Sequence, residues 1–122
     1  MCDAAPRGWV GRCYEGVGLQ LTGVFQRDDS WIIEQCATGQ PELAPRCAAG
    51  ATVALTAMDW SGTRAAGFCA ASPVAWKAPC YRAAATMLAV FASPVRQAEV
   101  CGSIEGKYAE ACRQGAALDS PA

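Results

Sequence analysis

Eight cysteines, at positions 2, 13, 36, 47, 69, 80, 101 and 112, constrain this chain more than any other feature. The residues between consecutive cysteines number 10, 22, 10, 21, 10, 20 and 10. Four Cys-x10-Cys units therefore alternate with spacers that shorten by one at each step. An even count at this density in 122 residues points to disulfides and an oxidising compartment. The expected location is extracellular or at the cell surface, with the periplasm as the alternative. Zinc ligands pair across only about two to four residues, and redox pairs across about two. None of the gaps is that short, so no metal is expected on Cys2, Cys13, Cys36, Cys47, Cys69, Cys80, Cys101 or Cys112.

Two connectivities stay open. The constant ten-residue gap argues for pairing within each unit, because a disulfide loop of fixed geometry has a fixed length. The staggered alternative joins Cys13–Cys36, Cys47–Cys69 and Cys80–Cys101, leaving Cys2 and Cys112 for pairing between chains. Each local bridge would close about 12 residues and contribute roughly 3 kcal/mol by restricting the unfolded chain.

Aligned on its cysteines, the sequence divides into repeats 2–35, 36–68 and 69–100 and a half repeat 101–122. Seven residues after the first cysteine of each unit stand Trp9, Leu43, Trp76 and Tyr108. Three after the second stand Gly16, Gly50, Ala83 and Gly115, a small-residue column that permits close helix approach. Leu21, Leu55 and Leu88 form another column. Periods of this length belong to repeat architectures.

Within each copy the apolar residues recur at helical steps of three or four: Trp9, Cys13, Val17, Leu21, Val24 and Phe25 in the first; Leu43, Cys47, Ala51, Leu55 and Met58 in the second; Trp76, Cys80, Ala84, Leu88 and Phe91 in the third. Shorter helices are expected over Ser30 to Cys36, Gly62 to Cys69 and Ser93 to Cys101. Ser30, Ser72 and Ser93 are the expected caps, the last two each followed by proline. Prolines and glycines inside Cys-x10-Cys place a turn between the two cysteines, which then face each other across an antiparallel hairpin.

The repeat length, the helix-turn-helix layout and a tryptophan followed by a small residue (Trp9…Gly16, Trp76…Ala83) make the chain resemble tetratricopeptide-like helical repeats. The likeness spans almost the whole chain. It implies a right-handed helical solenoid used for protein–protein contact, and supplies no set of peptide-binding residues. The expected fold is thus all-α: one domain, 1–122, a short α-solenoid of about three and a half helix-turn-helix repeats of 32–34 residues, stapled by disulfides.

Composition excludes much else. A net charge of −1 argues against a nucleic-acid binder. The stretch Ala83 to Ala92 is interrupted by Thr86 and is far shorter than the roughly 20 apolar residues a membrane span needs. Histidine and asparagine are both absent, which removes Ser-His and Cys-His nucleophiles, His-ligated metal or haem, and N-linked sequons. The carboxylates Asp28, Asp29, Glu34, Asp59, Glu99, Glu105 and Glu110 are scattered, so no enzyme and no cofactor is expected. Asp28-Asp29 reads as a solvated turn, Arg12 and Arg46 as solvated or ion-paired, and Trp31 and Trp60 as core or inter-repeat packing. Met1-Cys2-Asp3 has no secretory-signal pattern, so a mature or recombinant form is expected.

Solenoids close with polar capping helices. This array runs from a first cysteine to just past a second, on an apolar first helix and a more polar last one carrying Lys107, Glu110, Arg113 and Gln114. Head-to-tail stacking of such an array gives an open filament. The expected function is a non-enzymatic structural protein, the subunit of an extracellular filament whose partners are copies of itself. Its self-assembly interface is expected at Trp9, Val17, Leu21, Phe25, Tyr108 and Leu118. Staggered pairing would add a Cys112–Cys2 bridge between copies. The alternative is a secreted or periplasmic tetratricopeptide-like scaffold binding a protein or peptide. Ser30, Thr38, Ser61, Thr63, Ser72 and Ser93 are expected carriers of O-linked glycans.

Overall fold

The computed structural model describes residues 2–25, 27–104 and 106–116, and among these the chain forms seven α-helices and no strand. They are α1 (Val10–Gly23), α2 (Asp29–Cys36), α3 (Ala44–Met58), α4 (Thr63–Ala71), α5 (Val74–Phe91), α6 (Pro94–Gly102) and α7 (Gly106–Ala116), with a single 3-10 turn at Pro41–Leu43 before α3. Long and short helices alternate up to α6, as the apolar spacing predicts. None is long and apolar enough to cross a membrane.

Helix starts follow local chemistry, with two departures from expectation. Ser93 caps α6, its hydroxyl accepting from the Arg96 amide at 3.2 Å, and Pro94 follows in the first turn, where no amide is missed. Helix α2 is capped by Asp28, not Ser30: the carboxylate accepts from the Trp31 amide at 2.9 Å, two residues earlier than expected. The Asp28-Asp29 pair is therefore a helix start: Asp28 is the exposed cap and Asp29, half-buried, opens α2. Ser72 likewise does not cap α5. It sits at the end of α4, buried, and donates to the Phe68 carbonyl at 2.8 Å, while Pro73 leads into α5. A hydroxyl one turn beyond a carbonyl satisfies itself backward when it is shielded from water.

The four disulfides are Cys2–Cys13, Cys36–Cys47, Cys69–Cys80 and Cys101–Cys112, with Cα–Cα distances of 6.0, 5.5, 5.6 and 5.4 Å. Pairing is local throughout and no cysteine is free among the described residues. The staggered pairing, and with it a Cys112–Cys2 link between copies, is thereby overturned. Cys36–Cys47, Cys69–Cys80 and Cys101–Cys112 each span the turn between a short helix and the longer one after it, and Cys2–Cys13 ties the segment before α1 to that helix, so each pair lies within bonding reach. Four intrachain disulfides are compatible with an oxidising, extracellular environment.

The long helices pack in sequence, α1 on α3, α3 on α5 and α5 on α7, while α4 lies against both α3 and α5. Tyr14, Ile32, Cys47, Leu55, Phe68, Trp76 and Tyr81 lie in the main core. Buried hydroxyls find acceptors along their own helices: Thr22 donates to Gly18 O, Thr52 to Ala49 O and Thr56 to Thr52 O. Tyr14 ties α1 to the loop before α3, its hydroxyl accepting from the Gln40 amide at 2.9 Å.

The turn between α3 and α4 is built on Asp59. Its carboxylate accepts from the Ser61 hydroxyl at 2.7 Å, the Ser61 amide at 3.1 Å and the Arg64 amide at 3.3 Å. These bonds, the Ser61 hydroxyl first, hold its pKa below the ordinary 3.8. Gly62 then turns into α4 at φ +80°, where a side chain would be strained.

Candidate functional site

The small-residue column sets how closely the long helices approach. A Cβ on Gly50 of α3 would overlap the Glu15 carbonyl of α1, and one on Gly115 of α7 would overlap the Arg82 carbonyl of α5. From the opposite side, a Cβ on Gly18 of α1 would overlap the Cys47 carbonyl. Polar and aromatic contacts follow the same direction. Arg46 of α3 reaches back to α1, pairs with Glu15 at 2.9 Å and lays its guanidinium over Gly11. Tyr108 of α7 reaches back to Tyr81 of α5, ring centroids 5.5 Å apart.

Each of these backward-leaning positions has a cysteine-aligned equivalent on α1: Trp9 for Tyr108, Arg12 for Arg46, Gly16 for Gly50 and Gly115. All three are exposed. Trp9 is 56% exposed, against 6% for Trp76 and 7% for Tyr108 at the equivalent positions. Nothing lies within 4 Å of a Cβ built on Gly16. The Arg12 guanidinium lies over the Trp9 ring, 5.2 Å from its centre. The forward-facing positions Gly11, Tyr14 and Glu15 of α1 have Glu110, Arg113 and Gln114 as their equivalents on α7. Of these, Glu110 and Gln114 are exposed and Arg113 is partly so. The chain thus presents one face on α1 and one on α7 that match, position by position, faces joined in its interior.

A second surface runs across α1, α3 and α5: a mainly apolar groove of about 610 Å³, floored by Gly16, Gly50 and Ala83 and walled by Arg12, Leu19 and Arg82 among others. Among the described residues, no group of three or more histidines, cysteines, aspartates or glutamates is placed to hold a metal ion.

Of the residues expected at a self-assembly interface, Trp9 and Phe25 are exposed, the Phe25 ring resting against Trp31 at 5.6 Å. Val17 and Leu21 are partly buried and pack against the core. Tyr108 is a correction: it is buried against Tyr81, between Lys77 and Lys107, and its ring is not on the outer face of α7. Leu118 lies outside the described residues, as does the rest of 117–122. Trp60 is 61% exposed, contrary to the packing expected; its indole N–H donates to the Ala57 carbonyl at 3.1 Å. Trp31 is partly buried with Arg27 over its ring. The cysteine alignment places Gly16 in the small-residue column, but only the structure shows that Arg12, Gly16, Glu110 and Gln114 are exposed at positions equivalent to packed ones.

The chain matches no protein-family model, no curated protein and no solved structure.

Proposed function

We propose that this chain is a non-enzymatic structural protein, a disulfide-stapled α-solenoid of about three and a half tetratricopeptide-like repeats that stacks end to end into an extracellular filament. The carrying observation is the difference at one column: Trp9 is 56% exposed where Trp76 and Tyr108 are 6% and 7% exposed. A tryptophan buries upwards of 150 Å² when covered, so a surface of this kind favours association. Gly16 adds to the reading, since the glycines at its equivalent positions each admit a neighbouring helix. A head-to-tail contact between unlike faces propagates, and unless its rotation closes a ring it gives an open fibre. The exposed hydroxyl residues Ser30, Thr38, Thr63 and Ser93 are proposed carriers of O-linked glycans along such a fibre. Intact-mass measurement of native material at the bare polypeptide mass would rule the glycans out.

Electron microscopy of the oxidised protein, with sedimentation across a range of concentrations, tests the main reading. Regular fibres growing with concentration are expected, dissolving to monomers under non-reducing denaturation because no disulfide crosses the joint. A monomer at every concentration would overturn it.

The groove across α1, α3 and α5 favours a second reading, a secreted or periplasmic scaffold for a protein or peptide. An apolar floor between Arg12 and Arg82 suits an amphipathic segment with an acidic edge. Under this reading Arg82→Glu weakens partner capture and leaves self-association unchanged.

A further inference from the structure

We infer that copies join in the register of the internal long helices, with Arg12 of one copy set against Glu110 of the copy before it. The inference rests on the end-to-end reading above and adds the residues that define the joint.

The template is the packing of α3 on α1. There Arg46 reaches back, places its guanidinium carbon 3.0 Å from where a Gly11 Cβ would stand, and pairs with Glu15 at 2.9 Å. Arg12 occupies the Arg46 position on α1. On α7 the Gly11 position holds Glu110 and the Glu15 position holds Gln114, by the same cysteine alignment. Continuing the stack by one helix, α1 of the next copy takes the place after α7 that α3 takes after α1. Arg12 then meets a carboxylate at the spot where its internal counterpart meets only a glycine, and Gln114 replaces Glu15 as acceptor. The charge has moved one helical turn while remaining opposite the arginine.

The other columns agree. Gly16 then packs on Gln114 as Gly115 packs on Arg82, and no side chain obstructs it. Trp9 lies over Arg113 as Tyr108 lies over Tyr81, an aromatic pair replaced by a ring and a guanidinium. Arg12 and Glu110 are both exposed. At an interface, opposite charges favour one register, and like charges in juxtaposition oppose it.

The test is a charge swap in the full oxidised chain: Arg12→Glu, Glu110→Arg and the two combined, compared with wild type by sedimentation and electron microscopy, with circular dichroism checking the fold. Each single reversal is expected to raise the concentration for half-assembly by about tenfold or more. The combined variant, with the pair restored in reverse, is expected to return to within about threefold of wild type. Raising the salt concentration should weaken wild-type assembly, since the pair lies near solvent. If wild type assembles but the single reversals have no effect, or the combined variant fails to recover, the register is wrong while the end-to-end reading stands. If wild type never assembles, both fall together.

Discussion

At Gly50 a single hydrogen lets two helices touch backbone to backbone, because any Cβ would occupy the Glu15 carbonyl. Gly50→Ala must therefore push α3 away from α1 or distort one of them, and is expected to cost about 1–3 kcal/mol in chemical denaturation. Gly16→Ala, at the equivalent position on α1, meets nothing within 4 Å. At concentrations below any assembly it should leave stability unchanged or raise it by up to about 1 kcal/mol, since alanine is the better helix former. Equal losses in the two variants would mean that α1 is already covered on its outer face. Asp59 makes the other prediction at this scale. Its pKa is lowered in the fold by the Ser61 and Arg64 bonds, so its contribution is present above the unfolded value and is lost as pH falls through the folded value. Thermal stability should therefore fall in acid below the ordinary 3.8, and Asp59→Asn should be the less acid-sensitive protein over that window.

Each bridged hairpin joins a short segment to a long helix across a turn of few residues. Helix α6 is held to α7 by Cys101–Cys112, and α7 rests mainly on α5 through Tyr108 and Gly115. Replacing both cysteines with alanine removes a short-loop constraint of roughly 3 kcal/mol. The expected result is loss of hydrogen-exchange protection in α6 and α7 first, with the α2–α3 hairpin and its Cys36–Cys47 bridge still protected. Uniform loss along the chain would instead mean that the helices unfold as a single unit. Helix starts respond to local side chains in the same graded way. Asp28 rather than Ser30 caps α2 because the carboxylate reaches the Trp31 amide from a residue whose backbone is already extended.

For the whole molecule, two tryptophans in one sequence column carry opposite consequences. Trp76 is 6% exposed, and Trp76→Ala is expected to cost about 3–5 kcal/mol through the cavity it leaves. Trp9 is 56% exposed, and Trp9→Ala should stay within about 0.5 kcal/mol of wild type in monomer stability. Under the end-to-end reading it should nonetheless weaken assembly strongly, because it removes the ring that the neighbouring copy covers. Denaturation curves and sedimentation on the same two samples separate the effects. If Trp9→Ala destabilised the monomer as Trp76→Ala does, the bare-face reading of α1 would be lost.

The helices and their order were legible in the sequence, because apolar residues recurring at steps of three and four mark amphipathic helices. Which side is covered was not, since α1 buries Tyr14, Gly18 and Thr22 while Trp9 is exposed and Cys13, Val17 and Leu21 are only partly buried. The turns were legible too, since proline and glycine act on their own backbone. The constant ten-residue gap argued for local disulfides but left a rival, and tertiary proximity decided between them: only cysteines facing each other across one turn come within reach. Burial was decided by tertiary structure alone. Trp9, Trp76 and Tyr108 share a column, yet what covers a side chain depends on the neighbouring helix, and the pattern along one helix does not encode it. The same holds for Gly16 and Gly50, identical in sequence and opposite in surroundings. Repetition in the chain specified equivalent positions; packing determined which of them are covered inside the molecule and which stay exposed, because a neighbouring helix is present at one and not at the other.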